Sequence, residues 1–140
     1  MRDLKLALLQ RATAWHDPAA NRSALEESLA QLPGGLDVVL LPEMFTTGFT
    51  MAPETQGEAH PGPTLAWLKT QAARLDAAVG GSVAVQAEGQ GARNRFYFVT
   101  PEGEVTFYDK RHLFRMAGEH EHYAPGTERV VVPWRGWRLA

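Results

Sequence analysis

Val38-Val39-Leu40-Leu41-Pro42-Glu43-Met44-Phe45-Thr46-Thr47-Gly48-Phe49 is the stretch that decides the fold. Four consecutive branched aliphatics bounded by turn residues describe a strand buried on both faces, and Pro42 ends it because proline brings no N–H to a sheet ladder. Glu43 is thereby set at the C-terminal end of a strand. In open α/β sheets ligands bind along that edge, and a carboxylate beside so much apolar surface is expected to be partly desolvated, as a general base needs to be. The alternative is a strand-end acid that points into water.

Upstream of this stretch, Leu4 to Gln10 alternates leucines with other residues and predicts a first strand. Asp17 before Pro18 is an N-cap and first-turn pair, and Leu25, Leu29 and Leu32 then share one helical face up to Pro33-Gly34-Gly35. Downstream, Thr47 to Pro63 reads as a long polar loop, and loops of that length are usually functional or mobile. A second helix is expected from about Thr64, with Leu65, Leu68, Ala72 and Leu75 inward and Lys69 and Arg74 outward. Val79 to Ala87, Arg95 to Thr100 and Val105 to Tyr108 follow as strands, joined by Gly-rich turns. Arg129 to Trp134 and Trp137 to Ala140 predict two more around Arg135-Gly136.

The order is β-α-β-α-β-β-β, then an irregular segment and more strand, so the class is α/β with at least one sheet. Val38 to Leu41 and Phe96 to Val99 are apolar on both faces, yet two helices cover only one side of a sheet. A further layer must come from a second chain or from additional sequence. Trp137-Arg138-Leu139-Ala140 also stops within a strand pattern, and the expectation is a truncated protein.

Composition narrows the function classes. The 140 residues are 44% hydrophobic and 21% charged, the profile of one soluble domain. A net charge of -2 argues against nucleic acid or an anionic membrane as the main partner. With no cysteine, the chain can form neither disulfides nor thiolate metal sites, and it carries no cysteine nucleophile. The opening residues are interrupted by Lys5 and too short for a signal-peptide core or a membrane span, so a cytoplasmic protein is expected.

Tyr108-Asp109-Lys110-Arg111-His112-Leu113-Phe114 is the second informative stretch. Lys110, at a strand end and brought near Glu43 by a parallel sheet, can hold its charge against a developing oxyanion; otherwise it is a solvated basic corner. Further on, Glu119-His120-Glu121-His122 offers another reading, in which His120 and His122 chelate a metal from an extended segment with a neighbouring Glu. The His-Glu-x-x-His helix of zinc peptidases is not there, and alternating His and Glu is equally a solvated loop.

Taken in order, Leu41-Pro42-Glu43, then Tyr108-Asp109-Lys110 with His112-Leu113-Phe114, then Gly118-Glu119 ahead of Tyr123-Ala124-Pro125-Gly126 resembles the nitrilase (carbon–nitrogen hydrolase) superfamily. Pro42 to Phe49, Lys110 to Met116 and Trp134 to Trp137 are similar to its omega-amidase branch. The resemblance implies an α-β-β-α sandwich, of which residues 1–140 would be the N-terminal part of the domain, truncated before the catalytic cysteine. It implies a Glu-Lys-Cys amidase in which Glu43 is the base, Lys110 binds the oxyanion, and Glu119 supports Lys110 and the substrate. The family's cysteine follows the strand that begins near Trp137, in a Cys-Tyr-Asp-like elbow, and this chain ends at Ala140.

The substrate implied is a small ω-amide of a dicarboxylic acid, 2-oxoglutaramate or 2-oxosuccinamate, with Arg115 as a candidate partner for its free carboxylate. Neither cofactor nor metal is implied, and the complete protein is expected to be a homo-oligomer. Two other classes stay open: a self-associating half-domain without catalysis, and a metal-dependent hydrolase using His112, His120, His122 and Glu119.

Overall fold

In the computed structural model, which describes residues 2–140, one mixed sheet carries the chain. Its strands are β1 (Leu6–Leu8), β2 (Val38–Leu40), β3 (Glu58–Ala59), β4 (Ala78–Ala87), β5 (Gly91–Val99) and β6 (Val105–Asp109). They lie in the order β1-β2-β4-β5-β6, with β3 paired to the far end of β4. The first three in that order are mutually parallel, while β5 is antiparallel to both β4 and β6. The sheet is therefore mixed, which corrects the expected parallel one. The cause is local: Glu88-Gly89-Gln90 is a three-residue hairpin with Gly89 at φ 70°, and a connection that short permits only antiparallel pairing. Two successive reversals leave β6 running in the direction of β2, so the residues after both strands emerge at one edge.

Helix α1 (Pro18–Leu29) starts as the sequence predicts, with the Asp17 carboxylate accepting the Ala20 N–H at 3.0 Å. It ends before Leu32. Helix α3 (Pro63–Leu75) stops at Asp76, which takes a left-handed conformation at φ 47°. Leu25 and Leu29 of α1 and Leu65, Leu68 and Ala72 of α3 pack against Val39, Val79, Val83, Val85, Tyr97 and Val99. Each of these leucines and valines taken from water to a full contact shell contributes about 1.5–3 kcal/mol.

The segment expected to be a structureless loop contains a four-residue helix, α2 (Pro53–Gln56), as well as β3. Pro53 presets the first helical φ, and Glu58 accepts the N–H and hydroxyl of Thr64, which ties the segment to the start of α3. Beyond β6 a single 3-10 turn (Arg115–Ala117) leads into α4 (Glu119–His122), so the His-Glu segment is helical and not extended.

The other face of the sheet is only partly covered. Strands β7 (Val132–Trp134) and β8 (Trp137–Leu139) form a separate two-stranded sheet whose Val132, Trp134 and Leu139 rest on Val38, Ala78 and Phe98. Asp37 anchors that hairpin. Its buried carboxylate accepts from Arg2 at 2.6 and 2.8 Å, the Lys5 N–H at 2.9 Å and Arg135 at 3.3 Å, while its carbonyl accepts the Trp134 indole at 2.9 Å. The Arg2 guanidinium foremost, with the Lys5 N–H, holds this acid well below the usual aspartate range. Beside the hairpin an open trough of about 740 Å³ is lined by Leu4, Leu6, Leu40, Phe96 and Tyr108. Among the described residues no helix is long and apolar enough to cross a membrane.

Candidate active site

Three segments converge at the edge where β2 and β6 end. After β2, Leu41 extends the ladder with its N–H on Gly80 O at 2.7 Å, and Pro42 stops it. The chain then turns sharply through Met44 at φ 53°, a left-handed conformation that costs a non-glycine residue about 1–3 kcal/mol. The cost is met by anchoring. The Met44 N–H donates to Ser82 Oγ at 2.9 Å, and its side chain is buried with Ala84, Ala92 and Tyr123. This turn sets Glu43 at the rim.

Lys110 follows β6 and is fixed on both sides through its backbone. Its N–H donates to Asn94 O at 2.9 Å, and its carbonyl accepts the Gly126 N–H at 2.9 Å. A Cβ at position 126 would lie 2.1 Å from the Asp109 carbonyl oxygen, so only glycine lets the returning segment press onto the strand end. The Pro125-Gly126 pair is thus a clamp on Lys110. The Tyr123 hydroxyl, donating to Thr50 O at 2.8 Å, ties the end of α4 to the loop that carries Glu43.

The side chains meet directly. Lys110 Nζ is 2.8 Å from Glu43 Oε1 and 3.0 Å from Glu119 Oε2. Glu119 is fully enclosed at 0% exposure, and both of its oxygens are used: Oε1 accepts Asn94 Nδ2 at 3.0 Å, and Oε2 also accepts the Phe114 N–H at 2.6 Å. Burial works against its charge. The donors from Asn94, Phe114 and Lys110 outweigh that, and the Glu119 carboxyl lies below the usual glutamate range. Burial likewise works against the Lys110 ammonium, yet its bonds to Glu43 and Glu119 lift its pKa above that of an ordinary lysine. The Phe49 ring adds a cation–π contact, its centroid 5.2 Å from Lys110 Nζ. Glu43 is different. Its side chain is 51% exposed, which corrects the expected desolvation: the turn that raises it also lifts it clear of the apolar strand.

The structure thus brings Glu43, Lys110 and Glu119 together. Arg115 stands apart from their bonds, an exposed residue whose side chain makes no hydrogen bond or ion pair among the described residues, though it follows Phe114, whose N–H holds Glu119. The histidines do not assemble. His112 lines the open trough, whereas His120 and His122 lie two apart on a helical turn and so cannot face one ion. Among the described residues no three His, Asp or Glu side chains form a metal cluster, and the metal-hydrolase alternative loses its geometric basis.

Asn94 is the site residue that the sequence reading missed. It lies on β5 at the parity of Phe96 and Phe98, just before the point where the expected strand began. A buried amide in step with apolar neighbours is the signal that a longer strand would have revealed.

Residues 5–136 match the carbon–nitrogen hydrolase family, and the chain belongs to it. Omega-amidase YafV of Yersinia enterocolitica is 49% identical over 148 residues, covering 99% of this chain and 53% of that protein. The 2-oxoglutaramate amidase of Bacillus subtilis is 30% identical over 126 residues, 88% of this chain and 48% of that one. The crystal structure of XC1258 from Xanthomonas campestris, a CN-hydrolase superfamily protein with an arsenic adduct in its active site, superposes with TM-score 0.93. It shares 50% identity over 99% of this chain and 52% of its own. The chain spans about half the length of the curated relatives it matches.

Proposed function

We propose that this chain supplies the general base and the oxyanion-binding cation of an omega-amidase-type carbon–nitrogen hydrolase, and that residues 1–140 are the N-terminal part of its catalytic domain. The observation that carries the reading is Lys110 Nζ held at 2.8 and 3.0 Å between two carboxylates of unequal exposure. An ammonium has three hydrogens, so two are engaged and one remains for a substrate oxygen. Glu119 is sealed from solvent, and each of its oxygens already accepts from a donor. Glu43 is half-exposed and has one oxygen without a donor among the described residues.

The roles follow from that inequality. Glu43 takes the proton of a cysteine thiol supplied by the remainder of the longer protein, and the thiolate attacks the amide carbon of the substrate. The carbonyl π electrons move onto oxygen, where the remaining Lys110 hydrogen stabilises the oxyanion. Collapse breaks the carbon–nitrogen bond, the nitrogen takes the proton from Glu43, and ammonia leaves a thioester. Glu43 then takes a proton from water, whose oxygen attacks the thioester carbon; the second collapse expels the sulfur, which recovers that proton, and releases the acid. Arg115 is assigned to the free carboxylate of 2-oxoglutaramate or 2-oxosuccinamate. The complete protein is taken to be a cytoplasmic homo-oligomer acting on small amides.

The test is ammonia release by the complete enzyme from 2-oxoglutaramate and 2-oxosuccinamate, compared with aliphatic nitriles. Preference for the two ω-amides is expected. Preference for nitriles would overturn the omega-amidase assignment.

A further inference from the structure

Asn94 touches every member of the site. Its carbonyl holds the Lys110 backbone at 2.9 Å, and its side-chain Nδ2 lies 2.8 Å from Glu43 Oε1 and 3.0 Å from Glu119 Oε1. The residue is 3% exposed and paired with Ala84 in the middle of the β4–β5 ladder, so its position is dictated by the sheet. Both partners are acceptors, which requires the nitrogen rather than the oxygen of the amide to face them.

Two carboxylates gathered on one ammonium leave a net negative site. The two acids would repel, and a second cation placed between them would compete for the role of Lys110. A neutral group with two hydrogens held about 120° apart bridges both without adding charge. Such a bridge is strongest at its Glu119 end, where water is excluded. Its consequence at Glu43 is specific. Oε1 accepts from Lys110 Nζ and from Asn94 Nδ2, both at 2.8 Å, which fills its two lone-pair directions. Among the described residues nothing donates to Oε2.

We propose that Asn94 is a positioning residue: by bridging Oε1 of Glu43 and Oε1 of Glu119 it presents both acids to one lysine and leaves Oε2 of Glu43 as the atom that takes the proton. This rests on the reading of Glu43 as the base. Among substitutions, aspartate keeps the shape but loses both donors when ionised, leucine loses them at every pH, and serine keeps one.

The test compares Asn94→Asp, Asn94→Leu and Asn94→Ser in the complete enzyme, with kcat/KM followed against pH. Losing donors to a charged acceptor costs about 10- to 100-fold per interaction, so Asn94→Leu is expected to lose at least that at all pH values, mainly in kcat. Asn94→Ser should fall between it and the parent. Asn94→Asp should lose more than about 100-fold at neutral pH and recover partly on acidification, when its carboxyl regains a hydrogen. A structural role alone would give losses without that pH-dependent recovery, and such a result would overturn the proposal. A second readout is independent of turnover: the Glu119 carboxyl 13C resonance should titrate at higher pH in folded Asn94→Leu than in the parent. An unmoved titration would overturn the bridge, whereas a moved one in an enzyme that hydrolyses no amide would refute only the amidase reading.

Discussion

The two faces of the main sheet are made from alternate residues of the same strands, and they differ in cover, in stability and in chemistry. On the helix face Val39, Val79, Val83 and Val99 are shut against α1 and α3. On the other face Leu6 is 50% and Leu8 69% exposed; the β7–β8 hairpin covers one part of it, and Met44 and Tyr123 cover Ala84 and Ala92 at the far end. The polar site belongs with the open face, because Asn94 shares the strand parity of Phe96 and Phe98. The helix face thus holds the fold together, while the open face carries the bridge between the acids and, in the proposed reading, receives a second layer. Under the proposed function that layer also brings the nucleophile, so cover and catalysis arrive together.

Turnover offers the largest contrast. The 140-residue chain alone should release ammonia from 2-oxoglutaramate on the order of 10⁶-fold more slowly than the complete enzyme, since a nucleophile and its base act as a unit. Glu43-dependent turnover by the isolated chain would break the link between cover and catalysis. Next in size is Glu43→Gln in the complete enzyme, expected to lower kcat by about 10²- to 10⁴-fold with little change in melting temperature, because its side chain is half-exposed. Glu119→Gln should instead lower both, and equal melting curves for the two variants would contradict their unequal burial.

The faces themselves are compared by truncating one leucine on each. Leu68→Ala, at 0% exposure where α3 packs on the sheet, should cost about 2–5 kcal/mol in urea unfolding, whereas Leu8→Ala on the open face should cost less than about 0.5 kcal/mol. Similar losses would show the open face to be covered in solution.

The smallest effect is one of pH. Asp37 and Glu119 both have folded pKa values below their ordinary ones, so their stabilising contribution is fully present above about pH 5, where the unfolded groups are ionised. It is lost as pH falls through the depressed folded values. Acid unfolding followed by circular dichroism should therefore be shallower for Glu119→Gln than for the parent below pH ~4. An unchanged slope would remove Glu119 from the acid-sensitive groups.

What the sequence determined by itself was local and periodic. Val38 to Leu41 with Pro42 placed a strand end at Glu43, Asp17-Pro18 placed a helix start, and the apolar content of both strand faces showed that two helices were too few. Each follows from rules acting within a few residues: a missing N–H, a capping oxygen, the two-residue alternation of a strand. Lys110 was legible as a cation at a strand end, whereas the role of Glu119 came only from the family resemblance; the structure holds the Glu43 and Glu119 carboxylates 2.8 and 3.0 Å from the Lys110 ammonium. Tertiary structure decided what depends on distant chain segments. The inequality of the two acids arises because Met44 turns Glu43 outward over Ser82, while Phe114, Lys110 and Asn94 close around Glu119. The role of Gly126 appears only when its backbone meets Asp109. Strand parity could have marked Asn94 as inward-facing but not named its partners, which are 51 and 25 residues away; only the folded sheet brings one amide within reach of both carboxylates.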